Sequence, residues 1–179
     1  NTHGTNPKKA DTDDDGLSDG AEVNTHGTNP KKADTDDDGL SDGDEVNVYG
    51  TDPLDRDTDN DTLLDGAEVN VYGTNPTEPD LLILVKPEDG ATWKIGEKYS
   101  IRWNSIGGVG EFVRIELWRD SSFVRKIKNS TANDGKSNWK VPDDVEPGDG
   151  YHIYIQSIAT PAIDDIGDNS FSVKRKRAR

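Results

Sequence analysis

DTDDDGLSDGAEV, residues 11–23, recurs almost unchanged as DTDDDGLSDGDEV at residues 34–46 and more loosely as DTDNDTLLDGAEV at residues 57–69. Connectors such as NTHGTNPKKA separate the copies, and the period is 23 residues throughout. Aliphatic residues are too sparse here to offset the entropy of ordering the chain by hydrophobic burial alone. An acidic disordered linker would have that composition, but fixed Asp and Gly offsets at a strict period predict a repeat array instead.

The spacing of acidic residues within each copy is that of a calcium loop. Counted from the first Asp, carboxylates occupy positions 1, 3, 5, 9 and 12, and a leucine at position 7 can supply its backbone carbonyl. A glycine at position 6 of the first two copies allows the sharp bend of such a loop. The predicted metal ligands are Asp11, Asp13, Asp15, Leu17, Asp19 and Glu22 in the first repeat, Asp34, Asp36, Asp38, Leu40, Asp42 and Glu45 in the second, and Asp57, Asp59, Asp61, Leu63, Asp65 and Glu68 in the third.

An all-oxygen shell rich in carboxylates selects Ca²⁺ over Mg²⁺ or Zn²⁺, so the sequence predicts at least three calcium ions, one for each loop. Calcium binding and folding of the array should be one event, because the carboxylates repel one another until an ion neutralises them. The third loop has Thr62 where the others have Gly16 and Gly39. If that position requires positive φ, threonine strains it, and we expect a weaker or differently shaped third site.

An EF-hand or a dockerin would share this ligand spacing. Those loops usually carry an apolar residue at position 8, where this chain has Ser18, Ser41 and Leu64. Proline and glycine in every connector also leave room for no more than a turn of helix, around residues 18–23. The stretch DTDDDGLSDGAEVNTHGTNP instead resembles the bacterial and archaeal form of the thrombospondin type 3 repeat, over residues 1–80. That resemblance implies a cysteine-free, calcium-wrapped, rod-like spacer of secreted or cell-surface proteins.

The distribution of charge divides the chain. Residues 1–80 hold 22 acidic and five basic side chains, whereas residues 81–179 hold 14 acidic and 16 basic ones, within a net charge of −15. Such an asymmetry predicts two units of different character. We assign residues 1–80 to the repeat array, residues 81–173 to a second domain and residues 174–179 to a basic tail.

The second domain reads as a series of short strands separated by turn signals. The runs are LLILV at 81–85, YSIRW at 99–103, FVRIELW at 112–118, SFVRKIK at 122–128, NWKV at 138–141, YHIYIQSI at 151–158 and NSFSV at 169–173. They predict a seven-stranded β-sandwich of the immunoglobulin or fibronectin type III kind, with LLILV as a buried strand. The fold class is therefore mainly β, an irregular calcium-binding array followed by this sandwich.

Alternation along these strands also selects a core. We expect burial of Ile101, Trp103, Val113, Ile115, Leu117, Trp139, Val141, Ile153 and Ile155. The segments VKPEDGATWKIGEKYSIRWNS, VRIELWRD, NDGKSNWKVPDD and DNSFSV are similar to the domain of the fungal serine/threonine-rich GPI-anchored and cell-wall-synthesis family, over residues 81–173. That resemblance implies a β-sandwich in a cell-surface or extracellular-matrix context and transfers no catalytic residues.

Catalysis is not expected of this chain. His152 is the only histidine after residue 80, it has no nucleophile motif beside it, and the chain contains no cysteine. We interpret the protein as an extracellular calcium-binding structural protein that acts as a spacer, adhesin or surface-fibre component. The predicted location is extracellular or at the cell surface, because the millimolar calcium found there fills sites of this kind.

The alternative function is that of a carbohydrate-binding accessory region of a larger secreted enzyme, with Trp118, Tyr154 and Trp93 as candidates for stacking on a polysaccharide. A further hypothesis is head-to-tail assembly, in which the tail KRKRAR, residues 174–179, docks on the acidic array of another copy. The expected partners are therefore calcium, a second copy or a surface polysaccharide. No nucleic acid is expected, since the array repels phosphate, and no apolar run is long enough to cross a membrane.

Overall fold

The computed structural model describes residues 4–176 of the 179-residue chain. The chain divides into two compact units, Asn1–Pro79 and Asp80–Arg179. Within the described residues, no helix is both long enough and apolar enough to cross a membrane. The predicted basic tail and the start of the predicted array extend outside the described part, at residues 177–179 and 1–3, and the three-part domain division stays a prediction.

Each repeat contains one α-helical turn that widens into a π-helical turn. The α-helical turns are α1 (Asp19–Ala21), α2 (Asp42–Asp44) and α3 (Asp65–Ala67), and the π-helical turns that follow them are Glu22–His26, Glu45–Tyr49 and Glu68–Tyr72. Ser18 caps α1, since its Oγ accepts a hydrogen bond from the Ala21 N–H at 3.2 Å. Gly27 ends the segment with φ of 79°, a left-handed conformation that glycine adopts without steric cost. The helical segment is therefore longer than the single turn expected at residues 18–23.

The array has a very small apolar interior. The leucine at loop position 7 of every repeat is buried, namely Leu17, Leu40 and Leu63. The buried polar side chains of the array are mostly carboxylates, among them Glu22 and Glu45, which are both 0% exposed. Burying a charge is costly unless it is paired, so the stability of this unit depends on what neutralises those carboxylates.

The second unit is a β-sandwich. Its nine strands in the described part of the chain are β1 (Leu81–Lys86), β2 (Ala91–Lys94), β3 (Lys98–Ile106), β4 (Phe112–Arg119), β5 (Ser122–Ala132), β6 (Lys136–Lys140), β7 (Gly148–Ser157), β8 (Asp164–Ile166) and β9 (Phe171–Lys174). One sheet has the order β1-β3-β6, and the other has the order β2-β9-β7-β4-β5 with β8 alongside β7. All pairings are antiparallel except β2 with β9. The seven predicted strands are present, β2 and β8 are additional short strands, and the predicted fold class is confirmed.

The sandwich core is the one that alternation predicts. Ile101 and Trp103 of β3 face the sheet formed around β4 and β7, whose inward residues include Ile115 and Ile153, and all four are at most 2% exposed. The other predicted core residues are also buried, namely Val113, Leu117, Trp139, Val141 and Ile155. Strands of this kind hold one apolar face against the opposite sheet, which is why the period of two locates the core so well.

Strand β1 is not the buried strand that its apolar run predicted. Leu82 is buried, but Leu81, Ile83 and Val85 are between 36% and 43% exposed. The physical reason is that β1 lies at the edge of the three-stranded sheet and has only one face on the core. The backbone edge is partly covered, because the Leu84 N–H donates to Asp165 Oδ2 at 2.6 Å, and such coverage discourages pairing with another strand.

Trp93 is buried, although the sequence suggested it as a candidate for stacking on a polysaccharide. Its side chain is only 4% exposed. Its ring stacks on Tyr99 with centroids 4.9 Å apart and contacts Phe171 at 4.3 Å. Trp93 is therefore part of the packed interior and is not available to stack on a sugar.

Candidate metal centre

Hydrogen bonds from backbone N–H groups to aspartates shape each acidic loop. In the first loop, Asp11 accepts from the N–H groups of Asp14 (2.7 Å) and Gly16 (3.1 Å). Asp15 accepts from the Leu17 N–H at 2.7 Å. The same contacts recur in the second loop, from Asp37, Gly39 and Leu40. The loop therefore curls around its own carboxylates, as an Asx-rich turn does.

Two positions in each loop require positive φ. Position 4 has φ of 64°, 64° and 63° at Asp14, Asp37 and Asn60, and Asp and Asn tolerate this conformation better than most residues. Position 6 has φ of 100° at Gly16, 107° at Gly39 and 82° at Thr62. Thr62 therefore has the positive φ on which the expected strain was conditional.

The third loop also differs in its hydrogen bonds. The Asp61 N–H donates to both Asp57 Oδ1 (3.1 Å) and Asp59 Oδ1 (3.2 Å), whereas the Asn60 N–H donates to the Asp57 carbonyl (3.2 Å). In the first loop the position-4 N–H donates to the first aspartate's carboxylate instead. A weaker third site remains a prediction, and the altered loop geometry supports it.

The aspartates at positions 1, 3 and 5 of each loop converge. In every repeat, the carboxylates at positions 1, 3 and 5 place an oxygen within 4.8 Å of one another. These groups are Asp11, Asp13 and Asp15; Asp34, Asp36 and Asp38; and Asp57, Asp59 and Asp61. Three converging carboxylates are the nucleus of the calcium shell that the spacing predicts.

A second kind of carboxylate group joins neighbouring repeats. Asp15 and Glu22 of the first repeat come within 4.8 Å of Asp42, which belongs to the second repeat. Asp38, Glu45 and Asp65 form the same group between the second and third repeats. Position 9 thus contributes to the cluster of the preceding repeat, a placement that single-loop reasoning did not find.

The position-9 aspartates also tie each loop together. Asp42 accepts from both the backbone N–H and the Oγ1–H of Thr35, each at 2.6 Å. Asp19 and Thr12 make the same pair of bonds, and so do Asp65 and Thr58. Position 9 therefore links the start of its own loop to its own helical turn, while its carboxylate faces the previous repeat.

The position-12 glutamates of the first two repeats each have an unsatisfied oxygen. Glu22 Oε1 accepts from the Thr28 hydroxyl at 3.3 Å and Glu45 Oε1 from the Thr51 hydroxyl at 3.1 Å. The Oε2 atoms of these two glutamates are buried and have no hydrogen-bond partner among the described residues. Both side chains are 0% exposed. A buried carboxylate oxygen without a donor is costly, and a cation in the cluster would satisfy it.

The aspartates show the same deficit. Both carboxylate oxygens of Asp13, and one each of Asp15, Asp36 and Asp59, are buried without a hydrogen-bond partner in the described part of the chain. A hard cation with a large shell of oxygen ligands fits such a donor set, and no nitrogen or sulfur donor belongs to these clusters. The residues present therefore fit calcium. The carbonyl groups of Leu17, Leu40 and Leu63 stay predicted ligands.

Burial makes these carboxylates difficult to ionise without a cation. Burial and nearby aspartates raise the pKa of Glu22 to about 7 and that of Glu45 to about 8. The same causes raise the pKa of Asp36 and Asp59 to about 6. The acids at loop position 4 differ, because Asp14 and Asp37 are exposed and pair with Lys9 (2.5 Å) and Lys32 (2.8 Å).

Glycine at loop position 10 allows the repeats to touch. A Cβ at Gly43 would lie 2.0 Å from the Asp15 carbonyl oxygen, and a Cβ at Gly66 would lie 2.5 Å from that of Asp38. The Gly66 N–H also donates to Asp38 Oδ2 at 2.8 Å. The equivalent Gly20 of the first repeat would meet nothing within 4 Å. The sequence feature that could have indicated this contact is the Asp-Gly pair at positions 9 and 10 of every repeat. The metal-ligand pattern alone explains the aspartate but not the glycine.

Two family models match the chain. The bacterial TSP3 repeat matches residues 11–33, 34–56 and 57–79, and the Kre9/KNH-like N-terminal Ig-like domain matches residues 86–167. Residues 11–79 therefore match three bacterial TSP3 repeats, a kind of repeat that binds calcium, and residues 86–167 match a Kre9/KNH-like Ig-like domain. Both resemblances seen in the sequence are confirmed. None of the curated proteins compared with the chain matches it significantly.

Several solved structures match at low identity. The BSP domain of a biofilm-associated protein is 23% identical with a TM-score of 0.37, over 79% of this chain and 22% of that one. The fibronectin(III)-like modules of Clostridium thermocellum CbhA are 14% identical with a TM-score of 0.36, over 54% of this chain and 47% of theirs. The N-terminal Ig1-2 module of the Drosophila receptor protein tyrosine phosphatase DLAR is 11% identical with a TM-score of 0.35, over 55% of this chain and 47% of that one. The chain thus spans less than half of each of these structures.

The glycine contact gives a first prediction. Gly43→Ala should destabilise the calcium-loaded array by about 1–3 kcal/mol, because a methyl group there displaces the neighbouring loop. Gly20→Ala is the matched control and should be neutral or slightly stabilising, since it adds the same methyl group in open space within a helical turn. Hydrogen exchange of residues 11–56 in excess calcium measures the difference. Equal protection in the two variants would contradict the role assigned to Gly43.

The cross-repeat cluster gives a second prediction. Glu45→Gln keeps the shape of the side chain but removes the charge shared with Asp38 and Asp65, so we expect calorimetry to show about one calcium ion fewer, or at least tenfold weaker binding of one ion. Asp44→Asn removes one charge from the adjacent, exposed residue and should leave stoichiometry and affinity nearly unchanged. A similar loss in both variants would show that net charge, and not the cluster, governs binding.

The raised pKa values give a third prediction. The folded-state pKa values of Glu22 and Glu45, about 7 and 8, exceed the ordinary value of 4.5, so the folded array without calcium retains protons that the unfolded chain releases. Its stability is greatest below pH 4.5 and is lost as the pH rises through 7 and 8. Calcium displaces these protons, so its affinity should rise over the same interval. Calorimetry in buffers of different ionisation enthalpy should detect proton release near neutral pH. An affinity that does not change with pH would contradict this coupling.

Proposed function

We propose that this protein is an extracellular calcium-binding structural protein, in which the repeats form a calcium-stiffened stalk for the β-sandwich. Its role is that of a spacer, adhesin or surface-fibre component. The observation that carries the proposal is the pair of carboxylate groups that span neighbouring repeats, Asp15–Glu22–Asp42 and Asp38–Glu45–Asp65. An ion held by two repeats restrains their relative movement, which a stiff spacer requires.

The number of ions follows from the clusters. Each loop offers one group of aspartates, at positions 1, 3 and 5, which supports at least three calcium ions. Four predicted ligands at positions 9 and 12, namely Asp42, Asp65, Glu22 and Glu45, lie in carboxylate groups that span two repeats, which supports shared ions. Filling one site therefore helps to assemble the next, and we expect the array to order cooperatively.

The sandwich is the part that needs no ion to fold. Its core is apolar and continuous across both sheets, from Ile101 and Trp103 to Ile115 and Ile153. A domain of this size can bury enough apolar surface to be stable alone. Calcium dependence should therefore be confined to the repeats.

The proposed location follows from the repeats and from calcium supply. Bacterial TSP3 repeats are calcium-binding, and carboxylate sites of this kind fill readily at the millimolar calcium of extracellular fluids. We accordingly propose that the protein acts outside the cell or on its surface.

Carbohydrate binding is the second candidate function. Trp93 is excluded by burial, but Trp118 and Tyr154 are partly exposed and lie 5.8 Å apart, centroid to centroid, on the outer face of the larger sheet. The head-to-tail assembly through residues 174–179 stays a prediction. Within that segment, Lys176 makes an exposed ion pair with Glu97 of its own chain (2.6 Å). Residues 177–179 lie outside the described residues.

Chelation tests the proposed function. Removing calcium from the intact protein should unfold residues 4–79 and leave the sandwich folded, because only the first unit depends on ions for neutralising its buried charge. All four tryptophans lie in the sandwich, so intrinsic tryptophan emission should stay unchanged. Hydrogen exchange of the repeats should accelerate strongly in the same sample, and restoring calcium should reverse it.

The control is a buffer with magnesium in place of calcium, at the same ionic strength. Magnesium should fail to restore protection, since it requires a smaller octahedral site. Repeats that stay equally protected after exhaustive chelation would contradict the calcium-stiffened stalk. Loss of the tryptophan signal together with the repeats would contradict the independence of the sandwich.

A further inference from the structure

Three adjacent strands bring an unusual set of side chains to the outer face of the larger sheet. On β4, alternation points Glu116 and Trp118 away from the core. Glu116 pairs in register with Tyr154 of β7 on one side and with Lys126 of β5 on the other. A carboxylate, two aromatic rings and a cation therefore lie side by side on one surface.

A groove of about 360 Å³ opens on this face. The charged and amide side chains that line it are Arg114, Glu116, Lys126, Lys128, Asn129 and Gln156. Three of these side chains are cationic and one is anionic, so the groove carries a net positive charge. This local excess of cationic side chains contrasts with the acidic repeats and favours an anionic ligand.

Glu116 organises the groove. It is only 6% exposed. Its Oε2 accepts a hydrogen bond from Trp118 Nε1 at 3.0 Å, and Arg114 Nε lies 3.7 Å from its Oε1. These contacts hold the indole and the guanidinium in place beside each other, which lowers the entropy cost of binding a ligand.

Arg114 has unused hydrogen-bonding capacity. Its Nε is buried and has no hydrogen-bond partner among the described residues. The guanidinium carbon lies 5.9 Å from the centroid of the Tyr154 ring. A guanidinium fixed in this way can bind a carboxylate through two parallel hydrogen bonds from its remaining N–H groups.

An aromatic row borders the groove. The rings of Trp118 and Tyr154 lie 5.8 Å apart, and Phe123, which is 51% exposed, lies 6.1 Å from Trp118. Such rings provide rigid apolar contact area for the carbon-bearing faces of sugar rings, next to groups that bind charge and hydroxyls.

We propose that this groove binds an acidic polysaccharide, a chain of sugars that carry carboxylates. Arg114, Lys126 and Lys128 bind the carboxylates, while Trp118 and Tyr154 contact the sugar rings. This inference deepens the second candidate function and does not depend on the calcium-binding stalk. The observations favour a polysaccharide over DNA, because Glu116 can accept hydrogen bonds from sugar hydroxyls, whereas a DNA backbone offers it only acceptors.

The test uses the intact protein with calcium and a defined probe, the hexamer of galacturonate. Trp118 is the only tryptophan of the four that is not buried, so tryptophan emission reports binding directly. We expect the acidic hexamer to change the emission and its fully methyl-esterified form to bind at least about tenfold more weakly, since esterification removes the charges that the cations recognise.

Matched variants locate the site. The double variant Lys126→Ala with Lys128→Ala should weaken binding about tenfold or more. The double variant Lys136→Ala with Lys140→Ala removes the same charge from exposed positions on β6 of the other sheet and should bind like the unaltered protein. Tyr154→Phe removes only a hydroxyl that donates to Asp164 and should retain binding if the ring acts as an apolar platform.

Four results would overturn the proposal. They are no binding of the hexamer at millimolar concentration, equal binding of the esterified form, equal losses in the two double-lysine variants, and tighter binding of a single-stranded oligothymidylate of the same charge. The second result would indicate a neutral-sugar site and the fourth a nucleic-acid site. None of these results bears on calcium binding, so failure here is distinguishable from failure of the stalk.

Discussion

The repeat unit depends on one electrostatic constraint, the burial of carboxylates without enough donors to satisfy them. Glu22 and Glu45 are fully buried, each with one oxygen that lacks a hydrogen-bond partner among the described residues. In most domains such groups would be destabilising defects. Here they converge with aspartates, so a divalent cation bound among them would offset the cost of burying them and attract both repeats.

This constraint explains the other features of the array. The apolar contribution is one buried leucine at position 7 of each loop and the buried connector prolines Pro30, Pro53 and Pro76, which is too little for a conventional core. Close contact between repeats replaces it, and Gly43 and Gly66 permit that contact because any side chain would overlap the preceding loop. Asp42 and Asp65 then reach the carboxylate cluster of the preceding loop. Their hydrogen bonds from Thr35 and Thr58 also fix the conformation of the loop to which they themselves belong. A cation bound in these clusters would therefore also hold neighbouring repeats together.

The sandwich is stabilised by an apolar core and not by buried carboxylates. Its core is apolar and its strands alternate, so it is stable without ions and can present a surface whose residues are chosen for binding. Glu116 illustrates this, since a carboxylate that contributes nothing to the apolar core holds Trp118 and Arg114 on the outer face. The first unit therefore buries carboxylates that a cation can neutralise, whereas the second is held together by apolar packing.

The period, the convergence of the aspartates at positions 1, 3 and 5, the sandwich and its core residues could be predicted from the sequence, because each follows from a regular spacing of residue types along the chain. Strain in the third loop was expected on the condition that position 6 has positive φ, and Thr62 meets that condition. Three features required the folded structure, namely that Asp42 joins the cluster of the preceding repeat, that β1 is a half-exposed edge strand and that Trp93 is buried. Those features depend on which distant segments pack together, and residue spacing carries no information about a neighbour that lies twenty or more positions away.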